Sequence, residues 1–176
     1  MSEPSLSLWR LIKEDWEANG KDWTKPGFRA LAVYRFGVWR MSIPNKVVRA
    51  PFSILYRFLF RRVRNRYGIE FPYSIKAGRR IVIEHQGAIV VHGDVVLGND
   101  CIIRQGVTLG IRDLSARFDS PILGVGVNIG AGAVLLGKVT VGDYAVIGAN
   151  AVVLSDIPKG AVAVGVPAKV VKVRGD

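Results

Sequence analysis

The run IVIEHQGAIVV, residues 81–91, carries Glu84 and His85 among residues that are mostly apolar or small. Histidine has a pKa near neutrality and can take a proton from one group and pass it to another. A neighbouring carboxylate can fix the ring tautomer and stabilise the imidazolium. The pair is therefore a candidate for acid-base chemistry. The alternative is a hydrogen-bonded histidine in the core, which is common on apolar runs.

Length and composition limit what surrounds this pair. The chain has 176 residues, of which 49% are hydrophobic, enough for one well-cored domain with a modest appendage. Its single Cys excludes internal disulfides and a multi-Cys metal site, so we expect no metal. With no signal pattern and no long apolar run, a cytoplasmic location is expected.

The first 68 residues differ from the rest in charge and periodicity. They hold 14 of the 25 Lys and Arg residues but only 5 of the 14 Asp and Glu residues. Apolar residues recur there at helical spacing in three segments, the last from about Asn45 to Arg66, where Pro51 predicts a kink or break. We therefore divide the chain into a basic, aromatic-rich helical region, residues 1–68, and a second region, residues 69–176.

The second region repeats every six residues. Aliphatic residues recur at this interval, and a small or branched residue follows nearly every one of them four positions later. The aliphatic positions are Leu97, Ile103, Leu109, Leu123, Ile129, Leu135, Val141, Ile147 and Val153. Such a period is typical of stacked repeats, in which each unit buries its inward residues against its neighbours. The 14-residue gap between Leu109 and Leu123 predicts a protruding loop near residues 111–122.

This pattern resembles the hexapeptide-repeat acyltransferases over roughly residues 69–173. The segments EHQGAIVV, VTLG and GVPAKVV occur in the order seen in the serine acetyltransferase-like branch, with a closer likeness expected to exopolysaccharide and colanic acid-type O-acetyltransferases. The resemblance implies a mainly β fold, a left-handed parallel β-helix preceded by a short α-helical region. It also implies acetyl-CoA as co-substrate and a homotrimer with active sites between adjacent subunits.

The resemblance assigns catalytic roles to three residues. His85 corresponds to the family's catalytic histidine, which would deprotonate the acceptor hydroxyl as it attacks the thioester. Glu70 corresponds to the acid that pairs with this base, and Glu84 to an acid on the substrate side. Both stand where the family has Asp, and Glu70 is the favoured partner of His85.

The resemblance also indicates where the two substrates bind. For CoA it implies Gly130, Gly148 and Ala149 along the pantetheine and Lys169 at a phosphate. In the loop, Asp119 and Ser120 replace an Arg-His pair that holds the carboxylate of serine, although Arg112 or Arg117 could supply the missing cation. We therefore predict a saccharide acceptor, in a polysaccharide or its lipid-linked precursor. The alternatives are serine, as in cysteine biosynthesis, and a non-catalytic β-helix scaffold.

Four remaining features have less specific interpretations. Residues 52–66 place arginines beside an aromatic stripe, which is typical of helices on anionic membranes and predicts contact with the inner face of the cell membrane. Alternatively, the stripe covers the open end of the β-helix. No groove-reading motif accompanies the basic charge, so no nucleic acid is expected. His92 is predicted to be a surface or turn residue, and Cys101 a core residue.

Overall fold

The computed structural model describes residues 7–113, 115 and 118–173. Three helices come first: α1 (Leu8–Ala18), α2 (Pro26–Met41) and α3 (Lys46–Tyr67). Short strands follow in the described part of the chain. They are β1 (Ile69–Glu70), β2 (Lys76–Ala77), β3 (Val82–Ile83), β4 (Ile89–Val91), β5 (Val96–Leu97), β6 (Ile102–Ile103), β7 (Thr108–Gly110), β8 (Ile122–Leu123), β9 (Asn128–Ile129), β10 (Val134–Leu136), β11 (Thr140–Val141), β12 (Val146–Ile147), β13 (Val152–Val153), β14 (Ala161–Val164) and β15 (Lys169–Val173).

The strands form three sheets, and each turn of the chain from β1 to β12 contributes one strand to each sheet. Sheet A has the order β1-β4-β7-β10-β13, sheet B the order β2-β5-β8-β11, and sheet C the order β3-β6-β9-β12-β14, with β15 added antiparallel to β14. Each strand thus pairs in parallel with the strand one coil further on, and the chain winds as a three-sided prism. We call the corner where the chain passes from sheet C to sheet A the C–A edge, and the corner from sheet A to sheet B the A–B edge.

The six-residue period corresponds to columns of inward side chains. Ile83, Ile103, Ile129 and Ile147 stack in register in sheet C, and all are at most 1% exposed. Each such side chain contributes about 1.5–3 kcal/mol when fully buried, so stacking supplies most of the stability of the prism. Cys101, with 0% exposure, belongs to this core, as predicted. Burial raises the pKa of its thiol to about 11, which keeps it protonated at neutral pH.

The helices cover the open end of the first coil. Leu31, Tyr34 and Val63 join the same hydrophobic core as Ile69 and Ile81. Part of the α3 stripe therefore packs on the prism, as the alternative reading proposed.

The sequence predicts a kink or break at Pro51, and the structure shows no break, since α3 is continuous through this residue. Pro51 lies in the second turn of the helix, where its ring removes one N–H from the backbone ladder. The carbonyl that loses this donor is that of Val47, which is 81% exposed and therefore open to solvent.

Polar side chains of α1 and its C-cap pair with the free edge of strand β3. The Asn19 amide donates to the Ile81 carbonyl at 2.9 Å and accepts from the Ile83 N–H at 3.2 Å, as a neighbouring strand would. The Asp15 carboxylate accepts from the Ile81 N–H at 3.2 Å. Because Glu84 follows Ile83 directly, the hydrogen bonds of Asp15 and Asn19 hold in place the strand that leads to His85.

Candidate active site

The turn that carries His85 is longer than the turn stacked against it. Ile83 and Val91 are eight residues apart, whereas their partners Ile103 and Leu109 are only six apart. The two extra residues are accommodated with Gly87 at φ 109°, a conformation that L side chains rarely adopt. His85 is exposed on this enlarged turn, which argues against the alternative of a packed core histidine.

The two candidate acids have different surroundings. The Glu84 carboxylate lies 2.6 Å from Nε of Arg104, the residue below it in the next coil. Glu70 lies on β1 beside Val90 of β4, the strand that the His85 turn enters. Neither the Glu70 side chain nor the His85 side chain makes a hydrogen bond or ion pair with any residue that the structure describes. Their pairing therefore stays a prediction, while Glu84 is already held by a cation.

The C–A edge brings together His85 and three of the four predicted CoA residues. Strand register stacks Glu84, Arg104, Gly130 and Gly148 in successive coils, with Ala149 next to Gly148. A Cβ added to Gly130 would come within 2.5 Å of the Ala149 nitrogen. The glycines are therefore needed for coil stacking itself. They also leave a track of small residues that leads away from His85.

Lys169 lies at the far end of this track. It is exposed on β15, where it pairs with Val164 of β14. The Val164 side chain in turn lies against Gly148, within 2.7 Å of where a Cβ would stand. Adjacent coils are about 4.8 Å apart, and the Ala149 coil is the third coil after the His85 coil, so the distance between them along the prism is roughly 14 Å.

The predicted loop leaves the prism at the A–B edge, between the ends of β7 and β8. Arg112 and Asp119 line a cavity of about 250 Å³ at its base, together with Lys138. Arg117, a further predicted acceptor residue, lies outside the described residues. Asp113 also lines it, so the cavity wall carries two cationic side chains, Arg112 and Lys138, and two anionic ones, Asp113 and Asp119.

His92 is the residue that the sequence interpretation undervalued. Ser120 is only 4% exposed, and its hydroxyl lies 3.0 Å from Nδ1 of His92. The Asp94 N–H also donates to this nitrogen, at 3.4 Å. Because an N–H can only donate, Nδ1 is an acceptor, and the neutral ring carries its proton on Nε2. His92 thus anchors the end of the loop across 28 residues, which no local pattern indicates.

The two halves of the predicted site lie on different edges of one subunit. His85 and the small-residue track occupy the C–A edge, whereas the loop and His92 occupy the A–B edge. Sheet A separates them. In a single chain, the base and the predicted acceptor loop therefore do not share one cleft.

Comparisons with known proteins assign the chain to a family. The family model described as bacterial transferase hexapeptide (six repeats) matches residues 120–155. A serine acetyltransferase from Helicobacter pylori (strain J99 / ATCC 700824) is 38% identical over 175 residues, which are 97% of this chain and 98% of that protein. The chain belongs to the serine acetyltransferase family. It is accordingly an acyltransferase that uses acetyl-CoA.

Two further members of the serine acetyltransferase family show the extent of the match. The Escherichia coli (strain K12) enzyme is 41% identical over 145 residues, which are 82% of this chain and 50% of that protein. The solved structure of serine acetyltransferase in complex with coenzyme A from Brucella abortus strain S19 has a TM-score of 0.82 at 25% identity, covering 95% of this chain and 68% of that chain.

These relatives test several predictions from sequence. The left-handed parallel β-helix and acetyl-CoA as co-substrate are confirmed. The closer likeness to exopolysaccharide enzymes is not supported, since the relatives named above are serine acetyltransferases.

Among the described residues, no helix is long and apolar enough to cross a membrane. In the same part of the chain, no group of three or more His, Cys, Asp or Glu side chains is placed to hold a metal ion.

Proposed function

We propose that this protein transfers the acetyl group of acetyl-CoA to the hydroxyl of serine, with His85 as general base. The observation that carries the proposal is the exposed His85 at one end of a track of small residues along the C–A edge. An exposed imidazole can meet two substrates, whereas one packed in the prism could not. The family supplies the acyl donor, and its members' names supply the acceptor.

In this reaction the imidazole of His85 accepts one proton and then donates it again. His85 takes the proton from the serine hydroxyl as its oxygen attacks the thioester carbonyl. The carbon–sulfur bond then breaks, and the imidazolium returns the proton to the sulfur of CoA. Glu70 orients the imidazole. Glu84, held by Arg104, presents a carboxylate to the ammonium group of serine.

The case for a saccharide acceptor loses force. The Helicobacter pylori relative, a serine acetyltransferase, is matched over 98% of its length by this chain. Asp119 stands where the loop motif has a cation, yet it shares one cavity with Arg112 and Lys138 as well as Asp113. We therefore assign the carboxylate of serine to Arg112, which supplies the cation that the loop motif lacks.

We further propose that the site is completed between subunits of a homotrimer. In one chain, the His85 edge and the loop edge flank sheet A on opposite sides. Three prisms arranged about a common axis can bring the C–A edge of one subunit next to the A–B edge of its neighbour. Arg112 would then face His85 from the adjacent subunit.

An acceptor screen tests the proposed acceptor. The purified protein is given acetyl-CoA with L-serine, or with neutral mono- and oligosaccharides, and CoA release is followed. We expect turnover with serine at least tenfold above that with any saccharide. Preferential saccharide turnover would restore the earlier prediction and contradict this proposal. Absence of turnover with every acceptor would instead favour a non-catalytic scaffold.

Replacement Arg112→Ala should weaken serine binding specifically. Loss of a charge-assisted hydrogen bond costs about 1.5–3 kcal/mol, so the KM for serine should rise about 10- to 100-fold. The KM for acetyl-CoA should stay within about twofold, because Arg112 is assigned to the carboxylate of serine and not to CoA. Steady-state kinetics with each substrate varied in turn measures both constants. Arg10→Ala removes a guanidinium from α1 as a matched control, and an equal effect there would refute the assignment.

Replacement Ala149→Leu should obstruct the CoA track without disturbing the fold. Ala149 is exposed, so the larger side chain projects outward over the track. We expect the KM for acetyl-CoA to rise about tenfold or more, equivalent to about 1.4 kcal/mol, with an unchanged melting temperature. Gly130→Ala is unsuitable because its Cβ would collide with backbone. Ala50→Leu on α3 is the matched control. If both variants bind acetyl-CoA like the parent, CoA does not follow this edge.

A further inference from the structure

Helix α3 presents two apolar faces, only one of which is used by the fold. Tyr56 and Val63 are buried against the rest of the protein. A second set of apolar side chains is between 47% and 81% exposed. This set, which we call the outer stripe, consists of Val47, Val48, Ile54, Leu55 and Phe58. Its spacing of three, four and seven residues keeps it on one side of the helix. The outer stripe is therefore an unpartnered apolar surface.

The outer stripe is accompanied by uncompensated positive charge. Helix α3 contains seven basic residues and no acidic residue. They are Lys46, Arg49, Arg57, Arg61, Arg62, Arg64 and Arg66. None of them forms an ion pair with any residue that the structure describes. An occupant of this surface must therefore offer both apolar contact and negative charge.

A shallow cavity joins the two properties at one place. It has a volume of about 400 Å³ and is lined by Phe58, Arg61, Arg62, Asn65 and Arg66. Three guanidinium groups beside an exposed aromatic ring match a phosphate group at the boundary of a hydrocarbon layer. This geometry points to a phospholipid headgroup.

A second copy of the chain fits this surface poorly. Residues 1–68 contain 14 Lys and Arg against 5 Asp and Glu, so two such regions would repel each other. An acidic protein could neutralise the arginines. A bilayer, however, offers phosphate and apolar chains along all 22 residues of α3 at once.

We propose that α3 lies on the surface of an anionic phospholipid bilayer. The outer stripe enters the boundary between headgroups and acyl chains, and the arginines from Arg57 to Arg66 contact lipid phosphates. This places the protein on the membrane peripherally, whatever hydroxyl compound it acetylates. The proposal is independent of the acceptor and of His85.

Vesicle flotation tests the proposal with the full-length protein. Vesicles of phosphatidylglycerol and phosphatidylcholine in equal amounts are compared with pure phosphatidylcholine vesicles. We expect the partition coefficient to be at least tenfold higher on the anionic vesicles and to fall as salt is raised. Equal partition on both vesicles, or none on either, would overturn it.

Variants distinguish membrane binding through this surface from nonspecific electrostatic or hydrophobic binding. Phe58→Ser should reduce binding to anionic vesicles about tenfold, and Arg61→Gln about fivefold. The matched controls lie on the prism: Tyr144→Ser removes the aromatic ring of a residue that is 58% exposed, and Lys76→Gln removes one exposed charge. Both controls should bind like the parent, and all four variants should retain acetyl transfer. Equal losses in test and control variants would refute the proposal.

An acidic polypeptide separates lipid from protein as the occupant. Polyglutamate offers charge without a hydrocarbon phase, so it should bind weakly and without sensitivity to Phe58→Ser. Tighter binding to polyglutamate than to the anionic vesicles would contradict a lipid surface.

Discussion

Replacement His85→Ala should lower the rate of acetyl transfer by about 10²- to 10⁴-fold, the range that general base catalysis contributes. The loss should appear in kcat more than in either KM, because the imidazole acts as the proton moves. His85 is exposed on its turn, so the melting temperature should not change. Release of CoA from acetyl-CoA in the presence of serine measures the rate.

Neighbouring residues supply the controls for this experiment. Gln86→Ala removes an equally exposed polar side chain from the same turn and should leave kcat within about twofold. Glu70→Gln should cost more in kcat than Glu84→Gln, because Glu84 is held by Arg104 and acts on the substrate side. If His85→Ala retains more than a tenth of the parent rate, His85 is not the base. The reverse order for the two glutamates would exchange their roles.

Replacement Asp15→Ala should be the most destabilising change in the helical region, at about 3–5 kcal/mol. The Asp15 carboxylate and the Arg35 guanidinium are 2.7 Å apart, with side chains 1% and 5% exposed. Asp15 also accepts from the Ile81 N–H, and Arg35 donates to the carbonyls of Ala77 and Gly78. Removal of the carboxylate leaves a buried guanidinium without its counter-ion and the Ile81 N–H without its acceptor.

Chemical denaturation and activity assays together measure the consequence. The free energy of unfolding should fall by the stated amount, and kcat should fall too, since β3 leads directly to Glu84 and His85. Lys13→Ala is the matched control, since it breaks an exposed ion pair on the same helix, at 3.9 Å, and should cost less than about 0.5 kcal/mol. A loss below about 1 kcal/mol for Asp15→Ala would show that the Asp15–Arg35 pair contributes little to docking of the helices.

The acceptor was the least predictable part of the site. The saccharide prediction rested on Asp119 and Ser120 at two loop positions. The effect of these two residues on acceptor binding depends on the side chains that lie beside them in the folded protein. Arg112 and Lys138 share the cavity of Asp119, while Ser120 is turned toward His92. The loop sequence shows neither Lys138 nor His92, because both come from other coils, and it does not show that Arg112 lies beside Asp119.

The sequence by itself determined the stacked six-residue repeat and, through the family resemblance, the left-handed prism and the role predicted for His85. A six-residue period repeats the same inward contact in every coil, so a local pattern specifies a global fold. Only the tertiary structure decided how the helices dock through Asp15 and Asn19, and which residues share an edge with His85. It also decided that His92 anchors the loop. The contacts of Asp15 and Asn19 with β3, and of His92 with the loop, join residues 28 to 66 positions apart, and each occurs once. A contact that does not repeat leaves no period in the sequence, and only the winding of the chain brings its two partners together.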